Sequence, residues 1–206
     1  MDSAFENWFV SMNWICEDSN VYNGIASYYF VGYFIGIILF WMPDTLGRKT
    51  TMNFLLPNYV IATAMVIFSH SMLVKSIGFF LMGFFHLKIS LSFSHGFDLV
   101  PGTHKSLVTT LITAYDSGTP MFACIFFKFI SKNQELCFRI HFLMGFTGCV
   151  LYFFLIPESP RWLLLKKGPN CKEAIAIFNY IAWFNGSKMR VPDDATFDII
   201  GQVIEE

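Results

Sequence analysis

The sequence predicts an all-α membrane protein: five transmembrane helices in one bundle, followed by an amphipathic helix outside the lipid. Three observations predict it. Of 206 residues, 54% are hydrophobic and only 14% charged, against about 25% charged in soluble domains, and the mean hydropathy is +0.50. Uncharged or nearly uncharged stretches long enough to cross about 30 Å of hydrocarbon recur along the chain. Basic residues gather on alternate connections, which is what orients a helix bundle in a bilayer.

Other classes are excluded by the same composition. A formal net charge of −1 leaves no basic face for nucleic acid. The five cysteines form no CxxC pair and no metal spacing, so neither a zinc site nor a disulfide framework is expected. No nucleophile motif, phosphate loop or metal cluster points to an enzyme, and no cofactor is implied.

Residues 1–23 are polar with scattered aromatics and carry Asp2, Glu6, Glu17 and Asp18 with no basic residue. They read as a non-cytoplasmic segment with no cleavable signal peptide. A five-span domain is expected over 24–156. Its first span, Gly24 to Met42, holds the small-xxx-small step Gly32 to Gly36, read either as a close helix contact or as chance in an apolar helix. Pro43 is expected to stop that helix and Gly47 to turn the chain, with Arg48 and Lys49 on the cytoplasmic side. The second span is Phe54 to Met72, with His70 at the interface, and Leu73 to Lys75 form an outer link.

The third span, Ser76 to Phe97, is interrupted by His86, Lys88 and His95. The fourth, Ser106 to Ile130, carries Tyr115 and Asp116 near its centre. A charge at mid-bilayer costs about 2.5–3.5 kcal/mol, so Lys88 and Asp116 either pair across one cavity or face water separately. The fifth span is Phe138 to Ile156. Cys16 and Cys137 fall on the same outer side, where a disulfide between them is one option. Residues 157–206 form a cytoplasmic tail. Its amphipathic helix opens at Cys171-Lys172-Glu173-Ala174, places Ile175, Phe178 and Ala182 at helical spacing, and is capped by Gly186. The sequon Asn185-Gly186-Ser187 would be silent there.

Four motifs carry a resemblance. Pro157-Glu158-Ser159-Pro160-Arg161-Trp162 follows the fifth span. Pro43-Asp44-Thr45-Leu46-Gly47-Arg48-Lys49 follows the first. Asp98 and Lys105 flank Pro101. The run Ala174…Asn185-Gly186…Pro192 lies in the tail. Together these resemble the second to sixth helices and central loop of the major facilitator superfamily, in its organic cation/anion transporter-like branch. In the motif Gly-x-x-x-Asp-Arg-x-Gly-Arg-Lys, Asp44, Gly47, Arg48 and Lys49 match, while Phe40 and Thr45 depart. Gly118 sits where that branch has a glycine.

The resemblance implies the truncated N-terminal half of a two-bundle transporter. Asp44, Gly47, Arg48, Lys49, Asp98, Lys105, Glu158 and Arg161 would form its cytoplasmic gating motifs; as an alternative, Arg48 and Lys49 only anchor the loop. Tyr28, Phe34, Lys88, Tyr115 and Asp116 are the substrate-cavity candidates. The implied activity is transport of small organic ions or nutrients by alternating access, in the plasma membrane or an organelle, with another chain supplying the second bundle. The alternative is a transport-inactive structural subunit of a larger membrane complex.

Overall fold

The structure is a computed structural model that describes Val10 and residues 19–197, with backbone alone at 19–23 and 26. The expected first 18 residues, Cys16 included, and residues 198–206 otherwise lie outside the described residues. All regular elements described are helical: α1 (Ser19–Gly36), α2 (Met42–Leu46), α3 (Arg48–Phe68), α4 (Met72–Phe84), α5 (Lys88–Leu99), α6 (Lys105–Ile125), α7 (Gln134–Leu155), α8 (Pro160–Lys167) and α9 (Lys172–Phe184).

Short 3-10 turns join α1 to α2 and α4 to α5, so each pair runs on as one rod. Among the described residues, four rods are long and apolar enough to cross a membrane: Ser27–Leu46, Arg48–Phe68, Met72–Leu99 and Gln134–Leu155. The remaining expected span is α6, continued by a π turn over Phe126–Ile130. It has the length, at 21 residues, but Asp116 and its threonines make it the least apolar.

Three boundaries differ from expectation for physical reasons. Pro43 does not stop the first rod. It falls in the first turn of α2, where its missing N–H costs nothing, and the turn comes at Gly47. The second rod starts at Arg48 rather than Phe54, because Asp98 takes up the Arg48 charge and Glu158 accepts from the main-chain N–H of Lys49. Lys75 is not in an outer link. It lies in the first turn of α4, is 1% exposed, and its Nζ donates to the Val66 carbonyl at 2.5 Å, satisfying the end of α3.

The rod α4–α5 is central. α1 packs on α4 through bare glycines. A Cβ at Gly32 or Gly36 would run into the Phe80 or Phe84 carbonyl, and one at Gly83 into the Tyr29 carbonyl. The step Gly32–Gly36 is therefore a real helix contact. α3 packs on α4 and α7, over a core of Met52, Leu55, Phe85, Leu87 and Leu91. α6 buries no residue. The tail forms its own small core, with Leu163 and Leu164 of α8 and Ala174 and Ile175 of α9 against Phe197. α9 ends at Asn185, and Gly186 turns the chain away at φ 70°. Cys137 is a buried thiol, and the other member of the expected pair, Cys16, lies outside the described residues.

Candidate functional site

Gly47 has φ 101°, a conformation open to glycine and costly for a residue with a Cβ. It lets α3 begin abruptly at Arg48, but it brings no side chain to cap that helix. The first N–H groups of a helix need acceptors. Glu158, 109 positions further along, supplies one: its Oε1 accepts from the main-chain N–H of Lys49 at 2.8 Å and from that of Ser159 at 3.0 Å. The helix dipole favours a carboxylate there.

Arg48 has the wrong sign for a helix N-terminus, and its side chain turns away. The guanidinium donates to the Ser94 carbonyl at 3.1 Å and pairs with Asp98 at the end of α5. The Asp98 side chain is 4% exposed and that of Arg48 17%, so solvent screens this pair only weakly. Ser159 donates its hydroxyl to the same Asp98 oxygen. It also caps α8, accepting from the Trp162 N–H at 3.1 Å. Trp162 Nε1 then donates to the Asp44 carbonyl at 2.9 Å, closing a ring of contacts. Beside this ring, His95 Nδ1 meets the Tyr152 hydroxyl at 2.5 Å.

The structure thus brings together Asp44, Gly47, Arg48, Lys49, Asp98 and Glu158. Asp44 and Lys49 take part through the main chain, not through their charges. Lys105 and Arg161 make no side-chain hydrogen bond or ion pair among the described residues. Ser159 and Trp162 stand within the motif read from sequence and His95 within the third span, but none of the three was among the site candidates. Ser159 had a signal: a Ser before Pro at a helix start is an N-cap pattern.

A cleft of about 800 Å³ opens between α3, α6 and α7, with mainly apolar walls. Of the cavity candidates, Tyr115 lines it. Lys88 is not among its lining residues; its Nζ lies 3.7 Å from the ring centre of Tyr59, a wall residue. Tyr28 (47% exposed) and Phe34 (75%) lie on the open surface of α1, and Asp116 is exposed on α6. Among the described residues no ion pair joins Lys88 to Asp116. The ring of Tyr59 receives the ammonium instead, a cation–π contact that a desolvated site strengthens.

Membrane-length helices tied at one end by an ion pair and capping bonds define a multi-pass membrane protein. The family profile described as "Sugar (and other) transporter" matches residues 3–182, and the chain belongs to that family. It is 26% identical over 212 residues to the "Organic cation transporter protein" of Drosophila melanogaster, covering all of this chain and 36% of that one. It is 30% identical over 194 residues to the "Solute carrier family 22 member 27" of Mus musculus, covering 90% of this chain and 33% of that one. The chain spans about a third of the length of these curated relatives. Their names are those of carriers, not enzymes.

Proposed function

We propose that the chain is the gating half of a carrier that moves small organic ions by alternating access across the plasma membrane, with further protein supplying the second bundle. One observation carries this reading. The Arg48–Asp98 pair and the Glu158 cap tie α3, α5 and the start of α8 at one end, so that the bundle rocks as a unit. The name of the Drosophila melanogaster relative supports an organic cation as cargo. The apolar cleft between α3, α6 and α7 suits the flank of a further helix.

The test is to purify the chain from native membranes with whatever accompanies it and to reconstitute the assembly in vesicles. Uptake of a tetraalkylammonium ion and of an aromatic carboxylate is then measured. Saturable uptake of either is expected when a second bundle is present, and its loss in Asp98→Ala. No uptake with the second bundle in place overturns the proposal in favour of a transport-inactive subunit. That second reading draws on one fact: of the cavity candidates Tyr28, Phe34, Lys88, Tyr115 and Asp116, Tyr115 alone lines the cleft.

A further inference from the structure

The tail presents an aromatic end that neither its own core nor the junction uses. α9 has two parts. Its start, at Ala174 and Ile175, is buried under α8. Its last turns carry Tyr180, Trp183 and Phe184, which share a face at the i, i+3, i+4 spacing. The ring of Tyr180 lies 6.0 Å from that of Trp183 and 6.4 Å from that of Phe184. Trp183 and Phe184 are each 65% exposed.

The Tyr180 hydroxyl donates to the Leu155 carbonyl at 3.0 Å. Leu155 is the last residue of α7, a rod of membrane-crossing length. The aromatic cluster is therefore tethered at the level where α7 leaves the hydrocarbon. Near that end of α7, Phe153 and Phe154 are 51% and 74% exposed. Tyr and Trp concentrate at this depth because an apolar ring and a polar edge suit the headgroup boundary. Lys188 and Arg190 follow the cluster, within a tail (residues 157–206) that holds six Lys and Arg against seven Asp and Glu.

We propose that the end of α9 beds Trp183 and Phe184 in the headgroup region of the bilayer that α7 crosses, so that the tail is a membrane-surface helix. The partner is lipid, and the proposal stands whether or not the chain transports.

The full chain and its Trp183→Phe variant are placed in vesicles of phosphatidylcholine and phosphatidylserine. Lipids brominated near the carboxyl end of the acyl chain, or near its methyl end, serve as quenchers, with iodide as the aqueous one. The emission lost on substitution isolates Trp183. It is expected to be blue-shifted, to lose most of its intensity to the shallow bromines, little to the deep ones and little to iodide. Emission at the wavelength of an indole in water with quenching by iodide overturns the proposal. So does shielding from lipid and iodide alike, which means that protein covers the patch. Phe184→Trp repeats the test as a gain of signal and keeps it decisive if the first variant does not accumulate.

Discussion

Arg48 and Lys49 are neighbours of equal charge, yet the fold uses them differently. Arg48 is spent on Asp98 through its side chain, whereas Lys49 is held by its main-chain N–H on Glu158. Arg48→Ala leaves a buried carboxylate with only Ser159 and should cost about 3 kcal/mol. Lys49→Ala keeps the capping bond and should stay within about 0.5 kcal/mol. Unfolding of the two variants by denaturant in the same detergent checks the contrast; equal losses would mean that the charges act only as anchors. Gly47→Ala should also destabilise, by about 1–2 kcal/mol, since its φ is 101° and the added Cβ would lie 2.6 Å from Glu158 Oε2. At the tail, the hydrogen bond from Lys167 holds the Glu173 carboxyl below its ordinary range, and the same bond holds the Lys167 ammonium above its own. A lowered carboxyl pKa contributes stability above the ordinary Glu value and loses it as the pH falls through the lowered one. A raised amine contributes below the ordinary Lys value and loses it as the pH rises through the raised one. The α8–α9 tether should therefore be flat in between and loosen at both extremes, as amide exchange in α9 read against pH would record.

The central rod gathers most of the polar residues that interrupt the apolar runs, and tyrosines from three neighbouring rods receive them. Tyr29 of α1 meets His86 Nδ1 at 2.6 Å, Tyr59 of α3 lies under Lys88, and Tyr152 of α7 meets His95. A hydroxyl or a ring face on each neighbour offsets the cost of a polar group where water is absent. Replacing Tyr29 by Phe leaves His86 short of a partner, and the Tyr29→Phe, His86→Phe cycle should return a coupling of about 1 kcal/mol. Additive losses in thermal unfolding would remove the pairing. The order and approximate ends of these helices were legible, because apolar length and basic connections are local properties of the chain. The partners were not. Lys88 and Asp116 were matched by depth along their helices, but contact also depends on rotation about each axis, which depth does not encode. Lys75 was misplaced for a related reason: a lysine ends an apolar window by composition, although here its ammonium satisfies the last carbonyls of α3.

At the scale of the molecule, most of the junction was legible because its residues form short motifs at turns. The Glu158 cap and the Ser159 bridge were not, since they join positions 109 and 61 apart. α6 is the element the fold leaves least supported: it buries nothing and carries exposed Asp116 midway along a span. A carboxylate facing lipid there costs about 2.5–3.5 kcal/mol. Only a partner, or water held by one, would make that cost acceptable. Asp116→Leu should then raise the stability of the isolated chain in nanodiscs by up to about that amount. The same substitution should weaken retention of the accompanying chain when the assembly is purified from native membranes. Thermal unfolding and the yield of co-purified protein measure the two effects separately. If Asp116→Leu destabilises the isolated chain, the carboxylate already has a partner within this bundle, and α6 is not the face that a second bundle covers.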